Sequence, residues 1–88
     1  MPKRVDSNQA FIVAGLREFG ASVWVTSNCG KGAPDIVCGY RFRTFPMELK
    51  SANGKLTKDE IAWRDGWKGN YYIVHNIEEA IEIITQEE

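Results

Sequence analysis

Several absences narrow what this sequence can be. It contains two cysteines, Cys29 and Cys38. They could form only one bridge, and with 43% hydrophobic residues to build a core the chain does not need it, so reduced thiols are expected. No run of eighteen apolar residues is present, which argues against a membrane span. The Met-Pro-Lys-Arg start is not followed by the apolar segment a secretory signal requires. The expected setting is therefore the cytoplasm. Nothing reads as a linker, repeat or low-complexity tract, so residues 1–88 are expected to form one domain around a modest core.

Net charge is also scarce, at -1, which is a poor match for a nucleic-acid partner until the charges are located. Residues 78–88 carry five of the twelve acids (Glu78, Glu79, Glu82, Glu87 and Glu88) and no Lys or Arg. Residues 1–77 therefore hold all eleven bases against seven acids, a body that is basic by four. A cation held by acids of that body would make its field more positive still.

Hydrophobic spacing predicts the elements. Asp6 or Ser7 can cap a first helix with Phe11, Ile12, Gly15, Leu16 and Phe19 on one face and Gly20 as its stop. Residues 21–27 are β-branched and aromatic and predict a strand, followed by a Gly-rich loop over 28–34. Further strands are predicted over Asp35–Tyr40 and Phe45–Ser51, joined by Arg41-Phe42-Arg43-Thr44. Thr57 and Glu60 have capping-box spacing ahead of a helix carrying Ile61, Trp63, Arg64 and Trp67 and closed by Gly69. A strand over Tyr71–His75 and a helix capped by Asn76 with Glu79, bearing Ile77, Ala80, Ile81 and Ile84, complete an α-β-β-β-α-β-α order.

A four-residue connection pairs Tyr40 with Phe45, Cys38 with Met47 and Ile36 with Leu49, which makes one face apolar. The other face then carries Asp35, Glu48 and Lys50, with Asp35 and Glu48 as a diagonal pair. Two carboxylates so placed suit Mg²⁺ or Mn²⁺, and the nearby amine of Lys50 can orient a water or offset charge in a transition state. A one-residue slip would bury Asp35 in the apolar layer, so the hydrophobic pattern supports this arrangement of faces. Pro46 objects, since it belongs on an edge strand or at a bulge.

The bland readings stand beside these. Lys31, Arg41, Arg43, Lys55 and Lys58 fall in loops or at a helix start near the proposed site, as phosphate contacts or as ordinary solubilising charge. Trp24, Trp63 and Trp67 could stack on bases, yet the i, i+4 pair reads first as packing. For Glu60 the capping box is explanation enough. Cys29, Cys38 and His75 lack paired zinc-ligand spacing, and no Ser or Cys nucleophile has a partner arrangement.

Pro34-Asp35, twelve intervening residues and Glu48-Leu49-Lys50 match the signature of the PD-(D/E)XK nucleases. The fuller pattern resembles the VRR-NUC branch of that superfamily: Gly32-Ala33 before the Pro-Asp pair, Leu56-Thr57 with Glu60, Trp67-Lys68-Gly69, the strand to His75 and the Glu78-Glu79-Ala80 helix. The resemblance implies a restriction-endonuclease-like αβββαβ core, a four-stranded mixed α/β sheet flanked by helices. It implies Mg²⁺ or Mn²⁺ held by Asp35, Glu48 and the Leu49 carbonyl, with Lys50 as the catalytic lysine. For small stand-alone members, which look like bacteriophage proteins, it implies a homodimer acting on branched DNA such as four-way (Holliday) junctions, in a prokaryotic or phage-infected cell. The chain departs from its relatives where Asn8 and Gln9 stand in place of a helix-one Glu, and where Glu60 stands in place of Gln. Gln9 and Glu60 are thus accessory candidates, and one metal or two stays open. The expected function is a metal-dependent endodeoxyribonuclease. The alternatives are a monomeric flap or nicking nuclease, or a non-catalytic DNA-binding or phage assembly module.

Overall fold

The computed structural model describes residues 7–87, so a cap at Asp6 lies outside the described residues. Three helices and four strands follow in the predicted order: α1 (Ser7–Phe19), β1 (Ser22–Val25), β2 (Ile36–Tyr40), β3 (Arg43–Leu49), α2 (Lys58–Gly66), β4 (Tyr72–Val74) and α3 (Ile77–Thr85). A 3-10 turn over Ser27–Cys29 interrupts the long loop after β1. The strands form one sheet in the order β1-β2-β3-β4, antiparallel except for the parallel β3–β4 pair. That mixed sheet is the one the resemblance implies.

The core lies on one face, under α1 and α3. Ile36, Cys38, Phe45, Met47, Leu49 and Val74 point into it from the sheet, Ile12, Val13 and Leu16 from α1, and Ala80 and Ile84 from α3, all buried. Truncating a central member such as Ile36 or Met47 to Ala should cost roughly 2–5 kcal/mol. Gly15 sets how closely the two helices approach, because a Cβ there would stand 2.7 Å from the Ile77 side chain. The expected face of α1 is corrected in part: Phe11 is 66% exposed and Phe19 43%, while Val13 is buried. Two aromatic rings at the ends of the apolar stripe overhang the core, and the stripe turns through Val13 instead.

The β2–β3 register also differs from expectation. Ile36 pairs with Met47, Cys38 with Phe45 and Tyr40 with Arg43, two residues off the predicted pairing. The cause is the turn. Arg41 and Phe42 alone make it, and both lie in the left-handed region, at φ 54° for Arg41 and 63° for Phe42. This is the backbone of a two-residue primed turn, which sequence normally announces with Asn-Gly. A shift of two preserves which residues share a face, so the apolar and charged faces stand as expected.

Pro46 is accommodated without leaving the sheet. Successive N–H groups along a strand alternate sides, and the Leu49 N–H points toward β2, reaching Asp35. The Pro46 nitrogen therefore faces the β4 side, where pairing starts only at Met47. Helix α2 ends at Gly66, earlier than Gly69, with the Trp67 N–H donating to the Arg64 carbonyl. Every residue of α2 is exposed or half-buried, so this helix is fastened by its ends rather than by a core.

Candidate active site

Side chains on the face away from α1 and α3 fall in rows. Trp24 pairs with Val37 and Val37 with Pro46. Continuing the ladders two residues along gives the next row, Thr26, Asp35, Glu48 and Ile73, in which Asp35 stands directly across from Glu48 rather than diagonal to it.

Asp35 is placed by its neighbours on both sides. The buried Thr26 donates its N–H to the Asp35 carbonyl (2.8 Å) and its hydroxyl to the Pro34 carbonyl (2.7 Å). One oxygen of Asp35, Oδ2, accepts the Leu49 N–H at 2.9 Å. Because a strand residue's C=O leaves on the same side as its N–H, the Leu49 carbonyl is turned toward β2 as well. Upstream, the loop docks on α2. Gly32, at φ +82°, sits so close to the Asp59 carbonyl that a Cβ would collide with it. The Gly-rich loop is thus the segment that seats the start of α2 beside the carboxylates.

Glu48 is 2% exposed, and its Oε1 has no hydrogen-bond partner among the described residues. Burial, followed by the charge of Asp35 and the hydrogen bond and charge of Glu60, pushes its carboxyl up to about 9. Asp35 is also raised, by burial first, against the lowering effect of the Leu49 N–H and of Glu48. Lys50 lies 2.8 Å from Glu60 and 3.6 Å from Glu48. Burial pulls its ammonium down, but the hydrogen bond and charge of Glu60, with Glu48 and Asp35 behind, raise it overall. Glu60 is pushed up by burial and held lower by Lys50 and the Thr57 N–H, with a net lowering.

Glu60 therefore does more than the capping-box reading allowed. The box is present, with Thr57 Oγ1 accepting the Glu60 N–H (3.2 Å) and Glu60 Oε1 accepting the Thr57 N–H (2.9 Å). The same Oε1 also binds Lys50. Sequence reasoning missed Tyr71. Its hydroxyl is buried without a partner among the described residues, and burial and then the charges of Glu48 and Glu60 push it up to about 12. Its face follows from alternation only once the β3–β4 register is known.

Other candidates are spread more widely. Lys31, Lys55 and Lys58 are exposed on the two segments that meet at Gly32 and Asp59, beside the site. Arg41 and Arg43 are not beside it. They sit at the far end of the hairpin, about 17–20 Å along the strands from the carboxylates. Arg43 points to the helix-covered face, donating to the Ile84 carbonyl at 2.9 Å. Gln9 reaches Ser27 Oγ at 3.5 Å, in the loop leading to Asp35. Trp63 and Trp67 stack on each other at 4.9 Å without entering the core. Cys38 is a buried thiol and Cys29 an exposed one, while His75 pairs with Glu79 at 3.0 Å.

The residues present fit a hard divalent cation. Two carboxylates with raised proton affinity, one bearing an orphaned buried oxygen, lack positive charge that Lys50 alone does not supply. Among the described residues no three His, Cys, Asp or Glu side chains are grouped to hold an ion by themselves. An ion here would rest on Asp35, Glu48 and a main-chain oxygen, with water completing the shell. No helix among the described residues is long and apolar enough to cross a membrane.

The fold is similar to that of a solved structure described as a VRR_NUC domain, with a TM-score of 0.71 at 19% identity over 93% of this chain and 95% of that one. No protein-family model matches the sequence. No curated protein matches it either. The likeness carries the fold: the chain has the α/β architecture of a VRR-NUC domain, as its motifs imply.

Proposed function

We propose that this chain is a metal-dependent, structure-selective endonuclease that hydrolyses phosphodiester bonds in DNA, acting as a homodimer on branched substrates such as four-way junctions. One observation carries the reading: the half-buried Asp35 and the buried Glu48 face each other across a hairpin, Glu48 with an oxygen to spare, and the Lys50 ammonium lies 3.6 Å from Glu48. A solvated strand face would not bury Glu48 to 2%.

Asp35, Glu48 and the Leu49 carbonyl would hold Mg²⁺ or Mn²⁺. When bound, that ion acts as a Lewis acid toward the phosphate and offsets its charge. Lys50 stays protonated through Glu60, and its ammonium is placed to neutralise charge building on the phosphate as the bond breaks. Asp35 is kept in position by the Leu49 N–H and Thr26, so the acid need not reorganise during reaction. Lys31, Lys55 and Lys58 give the rim positive charge that contacts phosphates without reading sequence. Two copies related by a two-fold axis would match the pseudo-symmetry of a four-way junction and cut both strands.

The test is a panel of duplex, flap, nicked and four-way DNA incubated with Mg²⁺, Mn²⁺ or chelator, comparing wild type with Glu48→Gln and Lys50→Ala. Metal-dependent cleavage lost in both variants is expected. Binding without turnover, indifferent to chelator, would make the chain a non-catalytic module. Protein that is solely monomeric in light scattering and ignores four-way junctions would remove the resolvase assignment.

A further inference from the structure

Beside the carboxylates the sheet bears an open groove of about 310 Å³, whose exposed surface is apolar. Trp24, Val37 and Pro46 form its floor, Pro34 one end, and Trp63 with Trp67 a wall. We infer that this groove is a nucleobase pocket, which receives one unstacked base of the DNA strand whose phosphate lies at Asp35 and Glu48. The inference rests on the nuclease reading and adds to it how unpaired DNA is recognised.

Position makes the first argument. Floor and carboxylates occupy adjacent rows of the same sheet face, two residues apart along each strand, about 7 Å. Pro34 directly precedes Asp35. A strand anchored by its phosphate at the acids thus brings a neighbouring base over Trp24. Chemistry makes the second. Trp24 is 67% exposed and Trp67 44%, flat apolar surface left in water on a small domain. Every base presents a π-face to such a surface, so stacking there needs no sequence. Lys31 is exposed on the loop between Cys29 and Ala33, both of which line the groove, and complements a polyanion. Size makes the third. At about 310 Å³ the groove is at the small end of the range of small-ligand sites, room for one planar heterocycle.

The experiment uses a four-way DNA carrying a single 2-aminopurine in an unpaired segment, titrated with full-length protein in Ca²⁺. Fluorescence of the probe and its Kd are compared for wild type, Trp24→Ala and Trp24→Phe. The expected result is stacking-induced quenching by wild type, a Kd about tenfold weaker for Trp24→Ala, and near-wild-type behaviour for Trp24→Phe. An abasic site at the probe position should erase the difference between wild type and Trp24→Ala, and fully paired duplex should not distinguish them. Since Trp24 lies outside the core, the Ala variant should melt within a few degrees of wild type. Equal affinities for the unpaired substrate overturn the pocket while leaving the nuclease reading intact. So does a Trp24→Ala variant that changes oligomeric state in sedimentation, which would assign the groove to a second copy. Wild type that binds no DNA at all removes both.

Discussion

Lys50 bridges Glu48, at 3.6 Å, and Glu60, at 2.8 Å, tying the end of β3 to the first turn of α2. The capping residue of one element is thereby the counter-ion of the candidate catalytic residue of another. Each partner moves the other in the direction that keeps both charged: Glu60 lowered, Lys50 raised.

Glu60→Gln separates these roles, since Gln also closes a capping box but cannot hold Lys50 by charge. Stability should change little. Lys50 would lose its main support, so its pKa should fall and the basic limb of the pH–cleavage profile should move to lower pH. The rate should change little at neutral pH and fall by up to about tenfold on the basic limb itself, the scale of up to one pKa unit. Lys50→Ala should cost more, roughly 10²–10³-fold at all pH values. A basic limb that does not move in Glu60→Gln would show that the ion pair is structural only.

Glu48 gives a stability signature of opposite sign to most acids. Its carboxyl lies near 4.5 unperturbed and about 9 when folded, so between these values the native state binds more protons than the unfolded state. Metal-free stability from this group is therefore fully present below about 4.5 and is lost as pH rises toward 9. Glu48→Gln removes that dependence. In chelator, the variant should match wild type near pH 4.5 and melt higher at pH 8 by at least about 4 °C, the shift that ~1 kcal/mol gives a domain of this size. Mg²⁺ should raise the wild-type midpoint, more at pH 8 than at pH 5, and leave Glu48→Gln almost unmoved. Parallel pH curves for the two proteins in chelator would contradict the buried-acid picture.

Much of this site was legible in residue order because period-two alternation fixes faces regardless of register. Asp35, Glu48 and Lys50 could be assigned to one side from Ile36, Cys38, Met47 and Leu49 on the other, and an error of two in the pairing did no harm. What alternation cannot supply is how distant elements meet. Glu60 looked complete as a cap because its second partner is ten residues away on another element. Tyr71 shares the face of Glu48 only through the parallel β3–β4 register, which no local pattern encodes. Arg41 and Arg43 were misplaced for a related reason. A turn with neither Gly nor Asn looked longer than it is, and proximity in sequence to the site was taken for proximity in space.

Thiol chemistry should divide the two cysteines. Cys38 is fully buried in the core and its thiol is pushed up to about 11 by burial, while Cys29 is exposed. Iodoacetamide at pH 8 should label Cys29 within minutes and leave Cys38 unmodified until denaturant is added, read by intact and peptide mass spectrometry. Mg²⁺ should not change Cys38 labelling. Rapid modification of Cys38 in native protein would mean that the helix-covered face opens far more readily than its packing implies.

The turn at Arg41-Phe42 carries a removable strain. Both residues adopt left-handed backbone, at φ 54° and 63°, a conformation costing a bulky residue on the order of 1 kcal/mol. Neither recovers it through burial: Phe42 is wholly exposed and Arg41 lies on the surface, its guanidinium 5.2 Å from the Tyr40 ring. Replacing the pair with Asn-Gly, the residues this turn geometry favours, should stabilise the domain by about 1–2 kcal/mol and raise its midpoint by roughly 4–15 °C. Faster refolding should accompany the gain if the hairpin forms early, because the turn sets the register of β2 and β3. A variant no more stable than wild type would mean that contacts of Phe42 or Arg41 offset the backbone cost. Cleavage assays on the same variant then separate two reasons for keeping a strained tip. Loss of activity on branched DNA despite higher stability would assign the tip to substrate contact, while unchanged activity would leave only the conformational cost.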